Sequence, residues 1–400
     1  MTIFNLPESD VTRLLASVHG ASDDAHSDPA EVFARAAWTC IAEPGDGVAG
    51  LVVNTLGAAA ALRLVLNTAK PERWAAALTE QGEEADPESE AQRVESIAGG
   101  IDRWRPRLNS VEVFRAFEQG SRVSAQLLVP GDDLWPVQVG DLGEHAPIAL
   151  WWRGVPDALR ALDNSIALVG ARAASGYGEH VAMEAASGLV DRGYAIVSGA
   201  AYGIDGMAHR SALASRGLTV AFLAGGLDRF YPRGHDELLT KIAHNGCIVS
   251  ELPCGQEPTK WRFLQRNRLI AASSNATVVI EAGWRSGSLN TASHAAEMGR
   301  PLGAVPGPVT SPSSAGCHRL LREYDAVCVT NAAEMAALVG DAGPSDDLPN
   351  DGTARSGEYT SDETRLIDAL STRAPGSART AAGRGADASR CATAPLPRPG

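Results

Sequence analysis

The stretch Ser165-Ile166-Ala167-Leu168-Val169-Gly170-Ala171-Arg172 decides the fold. A short apolar run stops on glycine, and an arginine follows. A continuous apolar run of this length, bounded by turn residues, reads as a fully buried strand. Downstream the pattern repeats at 194–198 (YAIVS), 218–223 (LTVAFL), 247–250 (CIVS), 276–280 (ATVVI), 301–305 (PLGAV) and 326–329 (AVCV). Helix-length segments separate these runs at 177–192, 203–215, 234–245, 261–273 and 288–299. Strands that are apolar throughout and alternate with helices specify a doubly wound, mainly parallel sheet covered on both faces. The expected class is therefore α/β, with a doubly wound, mainly parallel sheet.

Upstream the period changes. Apolar residues recur at three and four residues in 11–18, 31–41 and 57–66, with another short amphipathic helix at 111–120. The acidic stretch 81–90 reads as a solvated loop, and Val129-Pro130-Gly131-Asp132-Asp133 as a hinge. These features predict a helical domain over 1–145 and the α/β domain over 146–340. A Gly/Asp/Pro/Ser-rich linker is expected over 341–360. One more helix is expected to start at Ser361, but 371–400 holds almost no large apolar residue, so 361–400 reads as a truncated or disordered remnant.

Composition narrows the function classes. The chain has 400 residues, 44% of them hydrophobic, which is enough for a sizeable core. No apolar run is long enough for a membrane span, and the N-terminus has no basic, apolar leader. Six scattered cysteines without a CxxC pair suit a reduced cytoplasm. The net charge of −13 is uneven: residues 1–150 hold 23 acids against 11 bases, leaving the remainder near neutral. The electrostatic argument against a polyanion partner therefore applies to the first part alone.

Ligands of open parallel sheets bind beyond the carboxyl ends of the strands. Those ends carry Gly170, Ser175 and Gly176 in one loop, Ser198 and Gly199 in the next, then Gly225 and Gly226, and finally Ser286, Gly287 and Ser288. Glycine lets backbone amides approach a ligand, and helix N-termini favour anions, so the row suits several phosphates. Taken singly, the same glycines are tight turns of any such fold. The first loop is not G-x-G-x-x-G, and the second strand ends without the acid that binds an NAD ribose, so no dinucleotide is expected. Arg172 beside an amide-rich turn is a typical phosphate ligand.

Residues 259–268 (TKWRFLQRNR) hold four cations, two aromatics and no acid. Cations that track phosphates and rings that stack on bases suit single strands. The competing reading is a helix start with a buried Phe263 and solvated arginines. Catalytic groupings are thin. Asp205 and His209 share a helix face, where a capping Asp and an ordinary His suffice. Asp228, Glu251 and Glu281 sit at strand ends as separate acid/base candidates, without a nucleophile. The histidines and cysteines show no metal-ligand spacing, and no cofactor is expected.

These strings resemble the DprA (Smf) DNA-processing family. The resemblance rests on VGAR with SGYG at 169–178, SGAAYGID at 198–205, AGGLDRFYP at 224–232, FLQRNRLIAASS at 263–274, EAGWRSGSLNTASHA at 281–295 and AVPGPVTSPSSAGCHRLL at 304–321. It implies a cytoplasmic, non-enzymatic homodimer that binds single-stranded DNA and helps load RecA during natural transformation and recombination. It implies an extended Rossmann-like domain, with phosphate contacts at Arg172 and Lys260 and base contact at Phe263; a further phosphate contact is expected at Arg268. Arg266, Asn267 and Arg268 match the family's RNR signature, and 286–288 its glycine/serine loop. The helical part resembles the family's sterile-alpha-motif-like module. Departures are Ala171 in place of a hydroxyl residue, Ala200 in place of a larger apolar one, and 323–326 without the Gly-Ala that borders the dimer surface. The alternative is a nucleotide-processing enzyme of the phosphoribohydrolase type, whose full glycine-threonine motif is absent.

Overall fold

The structure, a computed structural model, describes residues 8–19, 28–82 and 86–340. The described residues fall within one compact unit. The expected linker, the helix at Ser361 and the tail with Cys391 lie outside the described residues.

Helices come first: α1 (Glu8–Leu15), α2 (Pro29–Ile41), α3 (Gly47–Leu56), α4 (Ala58–Leu66), α5 (Pro71–Glu80), α6 (Pro87–Trp104) and α7 (Ser110–Arg122). Local chemistry sets their starts. Asp28, Asp46, Asp86 and Asn109 each accept backbone N–H bonds as N-caps, which satisfies donors a helix otherwise leaves unpaired. The expected acidic loop at 81–90 is corrected here, because Asp86 caps α6 and Pro87 opens it. Acids in a first turn suit the helix dipole, so Glu88 and Glu90 favour the helix. Three tryptophans build the core of this part. Trp38 meets Trp104 edge-on at 5.0 Å, and Trp74 meets Trp104 at 6.0 Å.

The sheet has nine strands among the described residues, in the order β1-β2-β6-β5-β4-β3-β7-β8-β9. They are β1 (Gln126–Leu128), β2 (Leu150–Gly154), β3 (Ser165–Gly170), β4 (Ala195–Ser198), β5 (Thr219–Leu223), β6 (Cys247–Ser250), β7 (Ala276–Glu281), β8 (Leu302–Ala304) and β9 (Val327–Cys328). From β6 to β9 every pairing is parallel, while β2 joins β6, and β1 joins β2, antiparallel. The sequence pattern missed β1 and β2, and β1 falls inside the segment expected to be wholly helical. The helical part docks on this sheet through Phe117 and Trp151, 5.9 Å apart, and the Trp151 Nε1–H donates to Thr39 Oγ1 at 3.3 Å.

Later helices cover both faces: α8 (Pro156–Arg160), α9 (Gly176–Val190), α10 (Ile204–Ala214), α11 (Asp236–Asn245), α12 (Lys260–Ala272), α13 (Ser288–Glu297), α14 (Ala315–Glu323) and α15 (Ala332–Ala337). From β3 the strand order runs outward both ways, to β4 on one side and to β7 on the other. That reversal opens a crevice beyond the carboxyl ends of β3 and β7. No single described helix is long and apolar enough to cross a membrane.

Candidate nucleic-acid interface

A cleft of about 580 Å³ fills that crevice, and Arg172, Phe263, Arg266, Asn267, Arg285 and Ser286 are among its walls. Thr259 caps α12 by accepting the Arg262 N–H at 3.3 Å, which fixes where the basic segment begins. Lys260 opens the helix at the surface, and no acid stands in its first turn. Phe263 is half-buried. The Arg172 guanidinium lies 4.9 Å from its ring centre, Arg266 lies 5.8 Å away, and Tyr231 packs at 5.4 Å. Arg172, Lys260 and Arg285 have no carboxylate partner among the described residues. Arg285 was not singled out in the sequence, although the 281–288 loop quoted above contains it.

The expected row of phosphate loops is corrected. Internal carboxylates already occupy two of the loops, and in the third the Gly226 N–H donates to the Gln256 carbonyl at 2.9 Å. Glu281 accepts from the Ser175 backbone N–H at 2.8 Å and from its hydroxyl at 2.7 Å, at the start of α9 beside Gly176. Asp205 accepts from Gly199 and Ala201 N–H at 3.2 and 3.4 Å. Asp228 accepts from Gly255 N–H at 2.8 Å. The Ser198 hydroxyl is spent on the Leu168 carbonyl at 2.6 Å. Gly170 packs against Ile204, Gly225 against Pro258, and Gly226 against Pro253 and Cys254. A Cβ at any of them meets atoms within 3.0 Å, so tight packing accounts for these glycines. Gly287 is different: it is exposed, with open space beside it.

The RNR segment divides into three roles. Arg266 is buried and donates to the Gly199 carbonyl at 2.7 Å and to that of Phe222. Burial pulls its pKa down to about 10, against the attraction of Asp205. Asn267 donates to the Gly287 carbonyl at 3.3 Å and to Asn290 at 3.2 Å, tying the glycine/serine loop to α12. In that loop the Ser286 and Ser288 hydroxyls bond each other at 2.7 Å. Arg268 is 3% exposed and grips both Glu251 oxygens at 2.8 and 2.7 Å. Its expected phosphate contact is corrected to an interior ion pair, since the guanidinium is out of reach of a polymer.

The acid/base candidates are engaged as well, Glu251 by Arg268 and Glu281 by Ser175. Burial holds Asp205 above the ordinary carboxyl range, despite Arg266 and the amides it accepts from. His209 shares a helix face with Asp205, but its Nδ1 bonds Thr219 Oγ1 at 2.7 Å, and burial pushes its pKa down to about 3. No group of three or more metal-ligating side chains occurs among the described residues.

A family model described as DNA recombination-mediator protein A matches residues 126–340. The chain belongs to that family. A putative DNA processing protein DprA of Mycobacterium tuberculosis is 49% identical over 245 residues, covering 58% of this chain and 62% of that protein. Protein Smf of Escherichia coli is 40% identical over 210 residues, covering 52% and 55%. The chain thus aligns with about three fifths of the length of these curated relatives. The crystal structure of Streptococcus pneumoniae DprA superposes with a TM-score of 0.56 at 28% identity, over 74% of this chain and 94% of that one. The family match begins at β1, so the recombination-mediator region includes the antiparallel edge of the sheet and the whole cleft.

Proposed function

We propose that the cleft binds single-stranded DNA and that the chain acts as a non-catalytic recombination mediator, presenting the bound strand to RecA. One observation carries this reading: Arg172, 4.9 Å from the Phe263 ring centre, and Arg285 line one cleft with that ring, and Lys260 stands exposed at the start of the same helix, all three without a carboxylate partner among the described residues. Cations spaced around a ring offer phosphate and base contacts together, independent of sequence. In the 286–288 loop the Ser286 N–H donates to the Gly283 carbonyl at 3.0 Å and the Ser288 N–H to Ser286 Oγ at 3.4 Å, so the exposed Gly287 is the contact this loop offers the strand. The engaged carboxylates speak against the phosphoribohydrolase alternative, which needs a free acid. A homodimer formed along β9 is part of the proposal, because Val327 is 53% exposed on that edge strand. A cytoplasmic location, residues 1–145 as the helical module and 146–340 as the DNA-binding domain complete it.

Fluorescence anisotropy with a labelled single-stranded oligonucleotide tests the reading. Wild type should bind, with affinity falling steeply as salt rises, because bound phosphates release counterions. The double variant Lys260→Ala, Phe263→Ala should lose a stacking contact worth about 1–3 kcal/mol and about 0.7 of the salt slope. Equal binding by a folded double variant would move the site elsewhere.

A further inference from the structure

The helical part is acidic, yet the segment that ends α6 is basic. Arg103, Arg105 and Arg107 fall within five residues, where α6 runs into the short 3-10 turn Arg105–Arg107. Arg107 reaches one oxygen of Glu43 at 2.6 Å, and Arg262 of α12 reaches the same oxygen at 2.8 Å. Two guanidinium groups, one from each part of the chain, therefore share a single carboxylate. That places the basic turn directly beside the first turn of α12.

We infer that the DNA path continues out of the cleft, over the first turn of α12, and onto the Arg105–Arg107 turn. The inference rests on the single-strand reading of the cleft and extends it. The direction follows from helix geometry. Successive residues of α12 are about 100° apart, so Trp261 lies about 160° around the axis from Phe263. Phe263 faces the cleft. Trp261 falls on the side of Gln265 and Arg268, which pack against Gly45 of the helical part. Trp261 is 58% exposed, a free stacking face in the first turn of α12. Lys260 stands between these two rings at the head of the helix. Beyond them Arg105 is exposed and has no partner among the described residues. Arg103 and Arg107 are tied to Asp46 and Glu43 but remain 54% and 40% exposed. The exposed Glu257, three residues before Lys260, is taken up by Arg229, while Asp102 beside Arg103 is exposed. The strip is thus a local cationic exit from a cationic cleft, on a domain whose sum of charge hides it. Its ligand is the sugar-phosphate backbone of the same strand, with a base on Trp261.

The test compares oligothymidylates of about 6 and about 20 nucleotides, lengths spanning the usual range of site sizes. The full chain is used as wild type, Arg105→Ala and Trp261→Ala, with anisotropy read across salt. Wild type should bind the longer strand more tightly and with a steeper salt slope. Arg105→Ala should lower that slope by about 0.7 for the long strand alone. Trp261→Ala should weaken the long strand about fivefold or more and leave the short one unchanged. If both variants retain the wild-type length dependence, or if they weaken short and long strands equally, the extension is wrong while the cleft stands. If wild type binds neither oligonucleotide, the cleft reading falls and the extension falls with it.

Discussion

Residue type was a poor guide to residue role in the RNR segment, and environment decided each case. Arg266, Asn267 and Arg268 are consecutive, but helical steps turn them toward different surroundings. Arg268 lies opposite the cleft, where Glu251 neutralises it in the interior. Truncating one partner of a buried pair leaves an uncompensated charge and costs about 3–5 kcal/mol. Arg268→Ala should therefore lower thermal stability strongly, whereas Arg172→Ala, at the surface, should leave it nearly unchanged. Replacing Arg268 and Glu251 together by apolar residues of similar volume should restore most of the loss. If Arg268→Ala instead melted like wild type but bound DNA weakly, the interior assignment would be overturned. The phosphate loops teach the same lesson. Ser175 and Glu281 are 106 residues apart, so no local string reveals that a carboxylate fills the anion site at α9.

Among the elements, the buried strands were the most legible. The ranges 165–170 and 247–250 match β3 and β6 to the residue. A strand covered on both faces must be apolar throughout, and turn residues cut it off sharply. β1 and β2 are not legible in the sequence, because β2 takes its conformation from pairing with the sequence-distant β6, and β1 from pairing with β2. The α6 start is masked in the sequence by its acids, which read as a solvated loop although Asp86 and Pro87 form a cap and a first helical residue. α12 was placed to within one residue, since Thr259 ends the preceding Pro/Gly-rich turn. That cap gives an element-scale prediction. Thr259→Ala removes the acceptor for the Arg262 N–H and should cost about 1 kcal/mol. Thr259→Ser should be near neutral. Because Lys260 and Phe263 ride on the capped turn, Thr259→Ala should also weaken single-strand binding, with Thr259→Ser restoring it. A purely structural cap would change the melting temperature and leave DNA affinity untouched.

For the whole molecule, the division into a helical part and a Rossmann-like part describes sequence pattern better than it describes packing. One hydrophobic cluster runs from Phe33 and Trp38 through Trp104 and Phe117 to Trp151, and on to Leu223 and Ile248 in the sheet. Glu43 adds a polar tie to α12 through Arg262, and the Gly45 N–H approaches Glu251 at 3.4 Å. Burial works to raise the Glu43 pKa, but the Arg262 and Arg107 contacts outweigh it and hold the carboxyl below its ordinary range. An interface with an aromatic centre and ion-paired edges should transmit unfolding across it. Residues 8–340 should therefore melt in one cooperative transition. Trp151 is fully buried at the junction, and replacing a large buried aromatic with alanine costs about 3–5 kcal/mol. Trp151→Ala should shift that single transition downward, with near-ultraviolet and far-ultraviolet dichroism still coincident. Two separated transitions would mean that the helical part folds as an independent unit, and the continuous strand path from cleft to helical arginines would then cross a hinge instead of a rigid surface.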